Sequence, residues 1–180
     1  MYVQTLAQQI RDLNKAIAEF DEELQKLTAQ HPDQELFRSL PGAGDALVPR
    51  LIAAFDSDRE KYTSAQQVQN YSGIAPITKQ SGKSKHVCKR LACPKFLRQT
   101  FHEFADHARK WSDWSKAFYK MKREAGVKHH AAVRALAYKW IRIIYRLWQN
   151  RELYSEQQYL QKLIKTNSPI IQFLETREKT

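Results

Sequence analysis

Apolar residues at Val3, Leu6, Ile10, Leu13, Ile17, Phe20, Leu24 and Leu27 recur at alternating steps of three and four. This is the a/d seam of a heptad repeat, and it predicts one long helix with a narrow apolar stripe over residues 1–31. Gln, Lys, Glu, Asp and Ala fill the positions between, as an exposed helix face requires. The a positions read Val, Ile, Ile, Leu and the d positions Leu, Leu, Phe, Leu, a choice that leans toward two-stranded pairing. The helix could pack back on its own domain, but a face used that way is wider. The spacing therefore favours docking on another helix, with homo-oligomerisation through residues 3–27. Pro32 ends the element, because proline cannot continue a helix.

The next pattern is "ELFRSLPGAGDALVPRLIAAF", in which two short apolar pieces flank Pro41-Gly42-Ala43-Gly44. Helix, P-G-x-G, helix is the pattern of a helix-hairpin-helix motif. Its glycines allow close backbone approach, and the following helix aims free N–H groups at a phosphate. A plain interhelical turn has the same spelling. Pro49 is expected to kink the second helix, and Asp45 would repel a phosphate unless it serves as a cap. In "SAQQVQNYSGIAP", Ser64 caps a short helix and Gly73 closes it. Residues to about Cys93 lack clear periodicity and fit a loop or a short β-hairpin around "SGKS".

From Pro94, Phe96, Leu97, Thr100, Phe101, Phe104, Ala105 and Ala108 form one helical face. Ser112 opens a further helix that Gly126 stops. "KHHAAVRALAYKWIRIIYRLWQN" is the longest apolar helix and the expected spine of the core. "SEQQYLQKLIK" reads as helical, with an irregular end after Ser168-Pro169. The fold class is all-α: a helix-hairpin-helix-like domain over 36–150, an N-terminal coiled-coil helix over 1–31 and a helical tail over 151–180.

Charge sharpens this outline. The 180-residue chain carries 30 Lys+Arg against 19 Asp+Glu, a net charge of +11, which favours nucleic acid or an anionic membrane surface as partner. Residues 61–102 hold eight bases and no acid, whereas residues 1–35 hold seven acids and three bases. No apolar run approaches the roughly 18 to 20 residues of a membrane span. No helix combines a strong apolar face with the exposed aromatic and lysine clusters of an interfacial anchor. The N-terminus lacks a basic segment followed by an apolar block, so no signal peptide is expected. Two cysteines make no disulfide framework and fit a reducing cytosol.

Candidate chemistry concentrates in the acid-free stretch Ala75–Gln99. Ser81 lies beside Gly82 and among Lys79, Lys83, Lys85, Lys89, Arg90, Lys95 and Arg98. A hydroxyl that attacks a phosphodiester needs a neighbour that takes its proton and cations that hold the phosphate oxygens. The same composition also describes a plain phosphate-binding loop. Cys88, Cys93, His86 and His102 lack zinc-knuckle spacing and read better as buried thiols and separate imidazoles. No acidic cluster suggests a two-metal nuclease. Trp111 and Trp114 could stack on bases, whereas Trp140 and Trp148, eight apart on the apolar helix, read as core.

The order "LPGAG", apolar helix, "SAQQVQNYSGIAP", "QSG", "KRLACPKFLRQTF" and "AAVRALAYKWIRIIY" resembles the C-terminal domain of IS110/IS116/IS902 family transposases, over roughly residues 36–150. The resemblance implies DNA binding, with Gly42 and Gly44 at backbone phosphates. It also implies a structured guide RNA as second partner, and a serine nucleophile that falls on Ser81 rather than Ser84. "KRLACPKFLR" departs from the family's usual K-R-G-N spelling. Complete members begin with a RuvC-like domain whose acidic ligands bind Mg2+. No such domain precedes Met1, so the expectation is a C-terminal piece or free-standing relative, with no cofactor of its own and a bacterial cytoplasmic location. It would be inactive in strand exchange alone. The alternative is a non-catalytic helix-hairpin-helix module with a dimerising helix.

Overall fold

The computed structural model describes residues 2–178. Met1, Lys179 and Thr180, at the outer edges of the segments expected at 1–31 and 151–180, lie outside the described residues. The order is α1 (Tyr2–Gln30), α2 (Gln34–Arg38), α3 (Val48–Phe55), α4 (Ala65–Tyr71), β1 (Ile77–Ser81), β2 (Ser84–Cys88), α5 (Lys95–Trp111), α6 (Asp113–Glu124), α7 (His129–Asn150), α8 (Glu156–Lys165) and α9 (Pro169–Glu178). The fold is all-α apart from the antiparallel β1–β2 hairpin.

The apolar spine α7 packs against α4, α5 and α6. It buries Val133, Leu136, Ala137, Trp140, Ile141, Ile144, Leu147 and Trp148. Burying a tryptophan also buries an indole N–H, which must find an acceptor. All three buried indoles do: Trp140 Nε1 donates to Ser115 Oγ (3.0 Å), Trp114 Nε1 to Tyr154 Oη (2.8 Å) and Trp148 Nε1 to the Asp56 carbonyl (3.0 Å). Tyr154 is drawn in from the segment after α7, and its hydroxyl is held above the ordinary tyrosine range by burial and by Glu156. α9 packs on α6, and Leu163 and Ile170 join the core.

Local chemistry sets the boundaries. Ser64 and Ser112 accept from the backbone N–H of Gln67 and Ser115, capping α4 and α6. Gly73 follows α4 at φ 71°, and a Cβ there would lie 2.3 Å from Cys93 Sγ. The loop before α2 is pinned by Arg59, whose guanidinium grips the buried Asp33 carboxylate and stacks 4.7 Å from the Trp148 ring.

Four expectations are corrected. Pro49 does not kink α3: the helix begins only at Val48, which places the proline in the first turn, where its missing N–H costs nothing. Phe96 leaves the buried face of α5 and is 49 % exposed under the Arg50 guanidinium. The chain past Ser168-Pro169 is helix α9, because its apolar side chains find α6 and α8 to pack on. Cys88 is an exposed thiol on β2 and Cys93 is half-buried, since the hairpin carries its residues away from the core.

α1 stands apart from this core. Its main contacts are with α2 and α3, and Thr28 is its buried residue. All eight seam residues, Val3 to Leu27, are exposed. At about 1.5 Å per residue the helix extends roughly 40 Å.

Candidate nucleic-acid interface

The β-hairpin is built from polar residues that have no core to enter. Every residue of β2 is exposed, and β1 is exposed beyond Ile77. Gly82 begins the two-residue turn at φ 55°, left-handed backbone that glycine adopts without strain. Directly opposed residues of an antiparallel pair share one face. The pairs Ser81–Ser84 and Lys79–His86 therefore lie on one side, and Gln80–Lys85 on the other.

That register distributes the predicted site residues. Ser81 is exposed at the end of β1, and its hydroxyl enters no side-chain hydrogen bond among the described residues. Across from it, Ser84 Oγ lies 2.9 Å from His86 Nε2. Ser81, Ser84, His86 and Lys79 thus form one polar face: two hydroxyls, an imidazole and an ammonium. Lys83 sits in the turn and Lys85 on the reverse face.

The remaining cations belong to a second feature, a cleft of about 530 Å³ between the beginnings of α5 and α7. Lys89, Lys95, Arg98, His102, His130 and Arg134 line it, with Gly73 at its edge. Its acid is Glu103, already engaged by Arg50 Nη1 at 2.5 Å and Gln99 Nε2 at 2.7 Å. Burial alone would raise that carboxyl, but these hydrogen bonds outweigh it and hold Glu103 below the usual carboxylate range. His102 is pushed below the ordinary imidazole range, first by burial and then by His130 and Arg134, although its bond to the His130 carbonyl opposes this. Burial, ahead of the neighbouring cations, is what disfavours the charged imidazole. Among the described residues, none of Lys79, Lys83, Lys85, Lys89, Arg90, Lys95 and Arg98 enters an ion pair. Arg98 Nη1 donates to the Arg90 carbonyl at 3.3 Å, which joins the end of the hairpin segment to α5.

The Gly42–Gly44 turn lies at the other end of α5. Gly42, at φ 76°, packs on that helix, where a Cβ would come within 2.9 Å of Trp111 Cδ1 and 3.0 Å of the His107 carbonyl carbon. Gly44 faces open space. Arg38 Nη2 binds Asp45 at 2.9 Å, which offsets the carboxylate at the mouth of the turn. A shallow cleft of about 510 Å³ runs from this turn to the exposed Trp111. Trp114, also considered for base stacking, is fully buried. The two clefts adjoin along α5: Glu103 lines the first and His107 the second, about one helical turn further on.

Nothing in the residue pattern marks His86 for the serine face or Arg134 for the α5–α7 cleft, whereas His130, one of the His129-His130 pair that reads as capping or phosphate-contacting, does line it. His130 and Arg134 sit four apart and off the buried stripe of α7, a spacing that marks one exposed helix face. His129, beside them, is taken by the Tyr119 hydroxyl at 2.9 Å. No helix among the described residues is long and apolar enough to cross a membrane.

The comparisons with known proteins agree with one another. The IS117 mini-circle protein of Streptomyces coelicolor is 32 % identical over 135 residues, covering 75 % of this chain and 33 % of that protein. The 42 kDa protein of insertion element IS900 from Mycobacterium paratuberculosis is 26 % identical over 153 residues, covering 84 % of this chain and 38 % of its own length. The 44.8 kDa protein of IS116 from Streptomyces clavuligerus is 26 % identical over 153 residues, with 83 % and 38 % covered. The chain thus spans about a third of the length of these relatives. The segment that carries the Gly42–Gly44 turn, the hairpin and α5, residues 34–120, matches the Transposase IS116/IS110/IS902 family.

Proposed function

We propose that this chain is the DNA-binding part of an IS110-family transposase and supplies Ser81 as the nucleophile of a composite site for strand exchange. The observation that carries the reading is an open serine on a hairpin whose cations have no internal ion pairs. Ser81 Oγ forms a bond to a DNA phosphorus, the bond from that phosphorus to the departing strand oxygen breaks, and that oxygen takes up a proton. The His86 imidazole, on the same face of the hairpin, would take the Ser81 proton and return it to the departing oxygen. Lys79 and Lys83 hold the phosphate oxygens, and Lys85 on the reverse face, with Lys89, Arg90, Lys95 and Arg98, seats the flanking strand. Gly42 and Gly44, at the Trp111 end of α5, receive backbone phosphate.

No step is routed through a metal. Among the described residues no group of three His, Cys, Asp or Glu side chains could hold one, and Mg2+ would come with the acidic ligands of a RuvC-like domain. The chain alone would bind polynucleotide, DNA and a guide RNA, without completing exchange. The α1 seam, residues 3–27, would join copies of the chain, since nothing in its own domain covers it. The site of action would be the bacterial cytoplasm.

The test is a protein–DNA adduct that survives denaturation, formed with DNA, guide RNA and the remaining domain supplied in trans. Ser81→Ala should abolish the adduct while leaving DNA affinity within about twofold, because one neutral hydroxyl adds little to phosphate binding. As much adduct from Ser81→Ala as from the parent would overturn the nucleophile assignment. A second reading, a binding module without chemistry, draws on one observation: the hydroxyl paired with an imidazole is that of Ser84, not Ser81.

A further inference from the structure

A second group of cations gathers on the other side of the molecule. Lys139, Arg142 and Arg146 stand on one face of α7 at steps of three and four. At about 100° per residue that face is turned roughly 130° from His130 and Arg134. Together with Ile143 and Tyr159 of α8 they line a groove of about 380 Å³. Lys122 joins them from α6: its Nζ lies 5.5 Å from the Phe118 ring centroid, and Lys139 Nζ lies 5.2 Å from the same ring.

The group is electrostatically uncompensated. None of Lys122, Lys139, Arg142 and Arg146 enters an ion pair among the described residues, and no carboxylate lines the groove. Glu156 is near enough to act on Tyr159, but its oxygens already accept from Ser112 Oγ, the Asp113 N–H and Tyr154 Oη. Glu152 lines the adjoining cavity, where Lys162 accompanies it. Lys139 is displaced below the ordinary lysine range, by burial first and then by Arg142 and Lys122. Clustered like charges repel, and an arriving polyanion would relieve that repulsion.

We infer that the α6–α7–α8 groove is a second phosphodiester-binding surface, separate from the hairpin face, so that one chain grips two polynucleotide segments at once. Lys139 to Arg146 spans about 10 Å, the axial rise of about three nucleotides of a duplex. Guanidinium groups suit phosphate oxygens, and Lys122 and Lys139 add point charge beside them. A protein partner would call for an apolar centre, which Ile143 alone does not supply. This deepens the nucleic-acid reading without depending on Ser81.

The experiment titrates the full chain against a labelled 20-base-pair DNA duplex and, separately, a labelled RNA hairpin, between 50 and 200 mM salt. Arg142 and Arg146 are exposed, so Arg142→Gln/Arg146→Gln should melt like the parent. It should weaken at least one polynucleotide and shrink the affinity lost over that salt range about tenfold, as two missing phosphate contacts require. Which ligand is affected identifies the strand this surface takes. Lys83→Gln/Lys85→Gln tests the hairpin face independently. If the hairpin variant weakens binding while the groove variant matches the parent with both ligands, the groove inference is overturned and the nucleic-acid reading stands. If only the groove variant matters, the groove stands and the hairpin reading falls. A groove variant that loses affinity for a poly-glutamate peptide but for neither polynucleotide also overturns it.

Discussion

α1 and α7 are the two longest helices, and they treat their apolar residues in opposite ways. α7 encloses its stripe completely, with Trp140, Ile141, Ile144 and Trp148 at 0 % exposure. α1 leaves Ile10, Leu13, Ile17 and Phe20 between 55 and 71 % exposed. Hydrophobicity alone does not separate them, since both carry large aliphatic and aromatic side chains in helical register. The separation lies in what each meets. α7 is flanked by α4, α5 and α6, and its indoles find acceptors on Ser115 of α6 and on Asp56 at the end of α3. α1 leaves the domain after its last turn. The core closes without it, so its seam stays exposed.

The contrast can be broken first at α7. Trp140 packs against Trp114, Phe104 and Tyr154 at centroid distances of 4.8, 5.3 and 5.1 Å. Trp140→Ala should destabilise the domain by about 3–5 kcal/mol in urea unfolding, because a large cavity opens and Ser115 loses its donor. A loss below about 1 kcal/mol would show that α7 is not the spine. Gly42→Ala comes next. A Cβ there meets α5 at φ 76°, so a stability loss of about 1–3 kcal/mol should accompany any weakened DNA binding. Weakened binding with unchanged stability would mean that the glycine serves phosphate approach alone.

The smallest effect on the domain should come from α1. Ile10→Asp/Ile17→Asp should change monomer unfolding by less than about 0.5 kcal/mol, since both side chains are already exposed. In sedimentation equilibrium the same variant should lose the self-association of the parent. A parent that is monomeric at every concentration would remove the seam's proposed role and leave its exposure unexplained.

Ser81 shows where the sequence stops. Its basic neighbourhood is plain in the order of residues, but the company it keeps follows from strand register. Pairing Ser81 with Ser84 and Lys79 with His86 puts an imidazole on the serine face and sends Lys85 to the reverse. Phe96 teaches the same lesson in the core. It sits within a helical apolar pattern, yet about half of it stays exposed, with the Arg50 guanidinium over its ring.

The sequence by itself determined the long helices, the serine caps of α4 and α6, the heptad seam and the acid-free stretch, because these depend on spacing and composition within one segment. It could not determine that Lys95 and Arg98 join His130 and Arg134 around a cleft, or that Lys122 of α6 and Tyr159 of α8 join Lys139, Arg142 and Arg146. Those groupings bring together residues far apart in the chain. They exist only once α5, α6 and α8 have packed around α7 and fixed which of its faces remain open.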